Sequence, residues 1–365
     1  MELRIDSSVL TDVVAWAARV LPVRAAVPVL GGLLLEAQGD GLVVSGLDHE
    51  AAARTGAAAD VAVPGRALVL GRRLVDICKV LPRSPVELAV EGSRLSVTGG
   101  DVRFGLSLLP LDDYPAQPAL PEQRGVVDAD AFADAVAQVA PAAGRDESLP
   151  VLTGIRLALD GDTMTLAATD RYRYALRTLE WKAASAEAAD VVAPARRLTE
   201  IARSLAGAGD VRLSLDAGSV GFESGAMRTT TRLLDGRLPR HDKLFDLGDP
   251  VTAVTDRAAL LEAVKRVAVV ADGGSPLQLE FTGDALRLRA GYEDDVAFQC
   301  LPAALSSDEP MTVAFNPAYL LDALGSFDVP EIRFHLLGPG QRALLTDPTG
   351  AAHRHLLMSV KPPLV

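Results

Sequence analysis

Five histidines and two cysteines are the residues of this sequence that could hold a transition metal. His353 and His355 are separated by one residue, so on a strand both imidazoles would lie on the same face, as in a metal-binding pair. No carboxylate or further histidine is spaced to complete the ligand set, and we expect no metal site. Cys78 and Cys300 are too few for a four-thiolate zinc site or a disulfide framework. Cys78 fits a buried apolar position.

Two acidic clusters have the chemistry of a divalent-cation site. Asp112 and Asp113 form the first, and Glu293, Asp294 and Asp295 form the second. Both have the composition of loops, and we expect neither to bind a metal. The sequence contains no phosphate-binding glycine loop, nucleophile elbow or zinc-protease motif, which excludes the commonest enzyme classes. We expect a protein without a cofactor that is not an enzyme, while a metal-dependent enzyme acting on nucleic acid remains the alternative.

Basic residues at helical spacing are suited to a third chemistry, the binding of phosphate groups. Such spacing places side chains on one helix face, where Lys and Arg attract a DNA backbone without reading its bases. A solvated helix face would explain each cluster alone, but the recurrence of the pattern three times favours phosphate binding. The clusters comprise Arg72, Arg73, Lys79 and Arg83, then Arg196, Arg197 and Arg203, and finally Lys265 and Arg266.

The chain as a whole is acidic, with a formal net charge of −12 over 365 residues. This balance excludes a protein whose entire surface is basic. The charge is uneven, because six predicted helical stretches together carry +2 and the remainder carries −14. An apolar content of 49% predicts a globular protein with a large core. No signal peptide is evident and the longest apolar run is too short to cross a bilayer, so we expect a soluble cytoplasmic protein without a membrane partner.

Three sequence markers recur at intervals of 122 to 128 residues and predict an internal repeat. Asp6, Asp128 and Asp256 each open an apolar helical pattern, and Gly-Asp turns follow at 39, 161 and 283. A second helix in each repeat is preceded by Pro64, Pro194 or Pro317. The predicted helices span 7–21, 66–83, 128–146, 194–205, 256–272 and 316–327. We therefore predict an α+β fold of three repeated domains, 1–124, 125–248 and 249–365, each with two helices on antiparallel sheets; three unrelated α+β domains are the alternative.

Several segments of this sequence resemble the bacterial DNA polymerase III β subunit, the sliding-clamp family, and most closely its actinobacterial members. The resemblance covers the whole chain, and its most specific segments are 168–173 and the terminal strand. The segments that carry it are 24–30, 73–79, 112–115, 152–154, 168–173, 315–322 and 357–361.

This resemblance implies a head-to-tail homodimer that forms a ring of six domains around duplex DNA and slides along it. It places Arg24, Arg73 and Arg145 at DNA, in addition to the basic helix residues above. It also pairs Phe104 and Leu106 of one protomer with Val269 and Val270 of the other. The implied function is that of a processivity factor for the replicative polymerase.

A peptide-binding groove between the second and third domains is also implied. It would take short motifs of the DNA polymerase III α subunit, the clamp loader and other clamp-binding proteins through a few apolar anchors. Ordinary core packing would explain its Leu and Met residues equally well. The resemblance assigns to this groove Leu152, Thr169, Asp170, Arg171, Tyr172, Arg173, Tyr174, Leu244, Phe245, Asn316, Tyr319, Leu356, Leu357, Met358, Ser359 and Val360.

Departures from the family pattern fall in this predicted groove. Tyr174 replaces a usual Leu, Phe245 a usual Pro, and Ser359 a Pro whose loss frees a backbone N–H. A variant clamp that disfavours cyclic peptide inhibitors while retaining protein motifs is one explanation. The other is a replicative clamp with local sequence variation, and the sequence leaves both open.

Overall fold

In the part of the chain that the structure describes, nine strands and two helices succeed one another three times. The computed structural model describes residues 1–239, 242–271, 275–292, 295–349 and 352–361. The first repeat comprises β1 (Glu2–Asp6), α1 (Ser7–Ala17), β2 (Gly32–Gln38), β3 (Gly41–Leu47), β4 (Ala51–Ala58), β5 (Asp60–Val63), β6 (Gly65–Leu70), α2 (Gly71–Val80), β7 (Pro85–Glu91), β8 (Arg94–Gly99) and β9 (Val102–Ser107).

The second and third repeats have the same order, with a short extra helix between them. The second comprises β10 (Gln123–Asp128), α3 (Ala129–Val139), β11 (Gly154–Asp160), β12 (Thr163–Thr169), β13 (Arg173–Glu180), β14 (Lys182–Ala183), β15 (Ala189–Pro194), α4 (Ala195–Leu205), β16 (Asp210–Leu215), β17 (Ser219–Ser224) and β18 (Met227–Arg232), followed by the extra helix α5 (Asp242–Phe245). The third comprises β19 (Val251–Asp256), α6 (Arg257–Val267), β20 (Leu277–Thr282), β21 (Ala285–Tyr292), β22 (Asp295–Pro302), β23 (Ala304–Leu305), β24 (Met311–Phe315), α7 (Pro317–Gly325), β25 (Glu331–Leu336), β26 (Arg342–Thr346) and β27 (His353–Met358). The predicted threefold repeat is confirmed.

Two compact units contain these elements. The first consists of residues 1–130, 182–185 and 200–233, and the second of 131–181, 186–199 and the described residues from 234 onward. Sheets of the first unit have the orders β5-β1-β7-β8-β9 and β14-β10-β16-β17-β18-β4-β3-β2-β6. Those of the second have the orders β15-β11-β12-β13-β27-β26-β25-β19-β23 and β22-β21-β20-β24. None of the helices described is long and apolar enough to cross a membrane.

Each nine-stranded sheet joins two repeats through one strand pair. The ninth strand of the second repeat, β18, pairs antiparallel with the fourth strand of the first, β4. The ninth strand of the third repeat, β27, pairs in the same way with the fourth strand of the second, β13. Because β18 is bonded to β4, part of the second repeat belongs to the first unit. The units therefore do not follow the predicted domain boundaries, which stay a prediction.

Helix starts and turns follow the local chemistry of the sequence. Asp6 accepts a hydrogen bond from the backbone N–H of Ser8 at 2.8 Å, and Asp256 accepts one from Ala259 at 2.7 Å. Both carboxylates satisfy an N–H group that a helix leaves unpaired at its first turn. The turns at Gly39 and Gly161 have φ of 61° and 53°, a conformation that glycine adopts without strain.

The predicted helix over 66–83 is wrong in its first turn and its last. Residues 65–70 form β6, which pairs with β2 and buries Ala67, Leu68 and Val69 in succession. A continuous buried run fits a strand covered on both faces, so α2 starts only at Gly71. Pro64 thus precedes a strand and does not mark the helix start. The predicted helices over 7–21, 128–146 and 256–272 end earlier as well, at 17, 139 and 267, and each continues as a short 3₁₀ turn.

The first and third repeats each have a core made by two helices on their strands. In the first, α1 contributes Leu10 and Val14 and α2 contributes Leu74 and Cys78, which is buried as expected and whose thiol pKa burial raises to about 12. In the third, α6 and α7 contribute apolar residues to a core that also contains aromatic and aliphatic strand positions with no exposed surface. Leu277, Leu279, Phe281, Ile332 and Phe334 are among those positions.

Candidate functional site

The loop between β12 and β13 is held by its own side chains. Asp170 accepts hydrogen bonds from the backbone N–H groups of Tyr172 and Arg173 at 3.0 and 3.1 Å. The hydroxyl of Thr169 donates to the carbonyl of Arg173 at 2.6 Å and accepts from the N–H of Arg171. Arg171 has φ of 82°, which is unfavourable for a residue with a Cβ. The loop thus presents the exposed side chains of Arg171 and Tyr172 in a fixed conformation.

A buried guanidinium ties this loop to α7. Arg173 is 5% exposed, and its Nε donates to Asp170 at 3.0 Å while its Nη1 donates to Asp322 at 2.6 Å. The guanidinium carbon also lies 4.5 Å from the ring centre of Tyr319, in a cation–π contact. Asn316, which caps α7 through the N–H groups of its first turn, helps fix the helix that carries Tyr319. The sequence did not single out Asp322 as a site residue, although it lies in the segment 315–322.

A cavity of about 430 Å³ opens beside this ion pair. Tyr172 and Tyr319 stack along it with ring centres 6.2 Å apart, and Leu149 and Leu152 supply apolar surface. The remaining lining residues are Ala143, Gly144, Arg145, Asp146, Asp170, Arg171, Arg173, Ala318 and Asp322. Arg145, which the resemblance placed at DNA, therefore lies beside residues predicted for the groove.

Tyr174 lies in a separate apolar cluster with Leu244, Phe245 and Leu356. It is 2% exposed, its hydroxyl donates to the carbonyl of Pro239 at 3.2 Å, and its ring meets that of Phe245 edge-on at 5.7 Å. The guanidinium carbon of Arg354 lies 5.0 Å from the ring centre of Phe245, in a cation–π contact. Another basic side chain, Arg342 of β26, donates hydrogen bonds to the carbonyls of Lys243 and Leu244, and these bonds hold α5 against the sheet. The sequence reasoning missed both arginines, since only the fold brings them to α5.

The terminal strand contributes residues of three different environments. Met358 and Val360 are about 40% exposed, and the N–H of Met358 donates to the carbonyl of Tyr172. Leu357 is 1% exposed and belongs to the core of the third repeat. Ser359 is buried, and its hydroxyl donates to the carbonyl of Gln341 at 2.7 Å. The surface of this strand available to a ligand is thus that of Met358 and Val360.

Most basic residues predicted to bind DNA are exposed. The exposed residues are Arg24, Arg72, Arg73, Lys79, Arg83, Arg145, Arg196, Arg203, Lys265 and Arg266, whereas Arg197 is partly buried. Lys79 and Lys265 form ion pairs with Asp76 and Glu262 one turn away, which offsets part of their charge. Arg83 lies beyond the end of α2, so it is not on the helix face to which its spacing assigned it.

The residues predicted for the dimer interface lie on two different elements. Phe104 and Leu106 lie on β9, at the edge of its sheet, although Leu106 is only 8% exposed. Val269 and Val270 follow α6, and Val269 is 81% exposed. A further exposed aromatic residue, Phe298 on the edge strand β22, escaped the sequence reasoning. The sequence could have indicated Phe298 as an aromatic residue at one of the exposed positions of a strand whose residues alternate in exposure.

His353 and His355 lie on one face of β27, as their spacing predicts, with ring centres 6.2 Å apart. Both contact the buried hydroxyl of Ser326, at 2.8 and 3.4 Å. Burial lowers the pKa of His353 to about 4 and holds that of His355 well below its usual range. Within the described part of the chain no group of three His, Cys, Asp or Glu side chains is arranged to hold a metal. Glu293 and Asp294 of the second acidic cluster lie outside the described residues.

Comparison with known proteins matches all three repeats to one family. The N-terminal, central and C-terminal domains of the DNA polymerase III beta subunit match residues 1–118, 126–240 and 248–361. The beta sliding clamp of Streptomyces coelicolor is 42% identical over 374 residues, covering 99% of both chains. A beta sliding clamp homolog of Streptomyces muensis, GriR, is 39% identical over 370 residues, again covering 99% of both. These relatives confirm the resemblance to actinobacterial clamps.

A solved structure gives the same result for the fold. The sliding clamp of Pseudomonas aeruginosa bound to griselimycin superposes with a TM-score of 0.94 at 26% identity, covering 99% of both chains. The order of elements, the sheet joints and these similarities agree. The chain belongs to the DNA polymerase III beta subunit family, the beta sliding clamps.

Proposed function

We propose that this chain is a DNA polymerase processivity factor, which encircles duplex DNA as a homodimer and tethers the replicative polymerase to it. The observation that carries the proposal is the pattern of sheet joints. Both joints pair the ninth strand of one repeat with the fourth strand of another. Applied to the first and third repeats, the same rule leaves β9 and β22 at sheet edges.

Pairing of β9 of one copy with β22 of another would close a dimer in which every joint is of the same kind. Exposed sheet edges carry unpaired N–H and C=O groups and readily accept another strand. A head-to-tail contact that closes after two copies gives a ring instead of a filament. Phe298 and Val269 offer apolar surface on the third repeat, and Phe104 and Leu106 lie on β9. We retain the domain boundaries 1–124, 125–248 and 249–365 as part of this proposal.

The distribution of basic residues supports DNA in the central hole. The helical elements α2, α4 and α6 each carry a net charge of +2 in a chain of net charge −12. Weak phosphate contacts from Arg24, Arg72 and Arg73 would attract the backbone without fixing the ring in place. The closed ring around the duplex, and not tight binding to its phosphates, would then keep the protein on DNA. Such a protein would act in the cytoplasm and catalyse no reaction, and neither the family matches nor the named relatives support the nuclease alternative.

The loop Asp170–Arg173, Tyr319 and the terminal strand would form the site for motifs of the DNA polymerase III α subunit, the clamp loader and other partners. A stacked tyrosine pair and exposed Met358 suit apolar side chains of a short peptide. Primer extension by an actinobacterial α subunit and clamp loader on singly primed circular DNA tests this role. We expect much longer products with the chain than without it, and shorter ones again with Tyr172→Ala and Met358→Ala together. Equal product lengths with and without the wild-type chain would refute the proposal.

A second candidate function is that of a clamp variant that disfavours groove-binding inhibitors. The observation that favours it over an ordinary replicative clamp is the filled apolar cluster, in which the Tyr174 hydroxyl donates to the carbonyl of Pro239 and the Tyr174 ring packs on Phe245. The similarity to GriR, at 39% identity, does not separate the two functions, since the Streptomyces coelicolor clamp is 42% identical. A bulky inhibitor would have to displace a side chain that is already buried and hydrogen-bonded.

Calorimetric titration with griselimycin separates the two explanations. We expect weak binding to the wild-type chain and binding at least about tenfold tighter to Tyr174→Leu, which corresponds to 1.4 kcal/mol. Tyr174→Phe is the matched control, since it removes the hydroxyl but keeps the ring. An α-subunit peptide should bind all three forms within about threefold. Tight binding of griselimycin to the wild-type chain would leave only the ordinary replicative clamp.

A further inference from the structure

We call the strand pair that joins two repeats a seam, and we call the cavity lined by Leu152, Tyr172 and Tyr319 the candidate groove. The seam beside the candidate groove is the pair of β13 and β27, and the first unit contains a second seam of the same kind. At that seam β4 pairs with β18. The loop before β4 copies the loop before β13, since Asp48 accepts from the N–H groups of Glu50 and Ala51 at 2.8 and 2.7 Å. The N–H of Arg232 then donates to the carbonyl of Glu50 at 2.8 Å, as that of Met358 does to Tyr172 at 2.9 Å.

The correspondence continues in the neighbouring elements. A 3₁₀ turn over Pro28–Gly31 precedes β2, just as one over Pro150–Thr153 precedes β11. Leu30 thereby takes the place that Leu152 has in the second unit, and Glu50 takes the place of Tyr172. The first unit thus repeats the loop, the strand pair and the 3₁₀ turn of the candidate groove with different side chains.

A cavity of about 570 Å³ lies at this seam, and we call it the seam cavity. Its size falls within the range of known ligand pockets. Leu30, Leu47 and Ala52 supply apolar lining, and Tyr114 packs against all three. Pro115, Ala116 and Pro118 of the loop after Tyr114 also line it.

The charge of the seam cavity is negative, opposite in sign to that of a basic ligand. Four carboxylates line it, those of Asp48, Glu50, Asp113 and Asp216, against the single guanidinium of Arg232. Asp216 stays ionised, because hydrogen bonds from the Gly218 and Ser219 backbone lower its pKa. A segment that combines apolar residues with lysine or arginine would match both the apolar lining and the net negative charge of the cavity.

We propose that the seam cavity is a second peptide-binding site, which takes short segments pairing apolar residues with lysine or arginine. The class of ligand rests on the proposed function, whereas the cavity and its charge do not depend on it. A protein bound at the candidate groove could then make a second contact with the same chain. Two linked contacts hold a partner more tightly than either one alone.

Fluorescence anisotropy with the full chain tests this proposal. The probes are labelled Gly-Lys-Leu-Leu-Lys-Gly and its acidic counterpart Gly-Glu-Leu-Leu-Glu-Gly. We expect the basic peptide to bind at least about tenfold more tightly, and Glu50→Gln with Asp113→Asn to weaken it about tenfold. The matched control is Glu309→Gln with Asp328→Asn, which removes two exposed acidic charges elsewhere and should change the affinity less than about twofold.

Two further variants locate the bound peptide. Ala116→Trp fills the seam cavity from an exposed loop position and should abolish binding, with circular dichroism confirming that the chain is folded. Tyr172→Ala alters only the candidate groove and should leave basic-peptide binding unchanged, even if the groove proves not to bind polymerase motifs. Equal affinity for both peptides, no binding of the basic peptide, or loss caused by Tyr172→Ala instead of Ala116→Trp would overturn the proposal.

Discussion

Replacing Arg173 by methionine should destabilise the second unit strongly. The guanidinium is 5% exposed and bridges Asp170, which is 13% exposed, and Asp322, which is 37% exposed. Removing one partner of a buried ion pair costs roughly 3–5 kcal/mol, because the remaining charge is left without compensation. Since water reaches Asp322 in part, we expect the lower end of that range, about 3 kcal/mol of unfolding free energy.

Urea unfolding followed by tryptophan fluorescence measures this loss. The chain has two tryptophans, Trp16 in the first unit and Trp181 in the second, so a Trp16→Phe background reports on the second unit alone. Asp170→Asn is the matched control, because it keeps the oxygen that caps the loop while removing one charge. We expect it to cost about 1 kcal/mol. A loss below about 1 kcal/mol for Arg173→Met would refute the view that this ion pair holds the loop to α7.

Three further predictions concern pH, DNA and assembly. Because burial lowers the pKa of His353 to about 4 from 6.5, the unfolded chain takes up the proton first as the pH falls, and this group alone should lower the unfolding free energy by about 3 kcal/mol from pH 6.5 to pH 4. His353→Gln should remove that share of the dependence in urea titrations, while the buried His355 keeps its own, and an unchanged slope would contradict it. Arg72→Ala with Arg73→Ala should lower the salt slope of duplex binding by about 2 without changing the mass measured by sedimentation. Phe298→Asp should convert the dimer to monomers in the same sedimentation experiment, and a persistent dimer would show that β22 is not the interface.

The repeat was predictable because its markers are local. Acidic helix caps and Gly-Asp turns act through hydrogen bonds within a few residues, so their spacing alone exposes the threefold order of elements. The prediction of a helix over 66–83 was wrong in its first turn, because the structure there depends on a contact distant in sequence. Residues 65–70 form a strand because β2 lies beside them, and no residue within that window signals this partner.

The site was predictable only in part for the same reason. Asp170 and Arg173 are close in sequence, but Asp322 and Arg354 reach the site from strands and helices far along the chain. The equivalence of the two seams also depends on strand pairing, since Glu50 and Tyr172 share a backbone position but no chemistry. Sequence similarity between the repeats is too low there to reveal it.

Retention on closed DNA tests the central claim most directly. The chain is assembled on a nicked circular duplex with a clamp loader and passed through a sizing column at moderate salt, before and after the circle is cut once. We predict that it co-elutes with the circle and leaves the linear duplex, because a ring held by topology slides off free ends. Equal retention on both forms would mean that phosphate contacts hold the protein, and absence from both would mean that it does not encircle DNA.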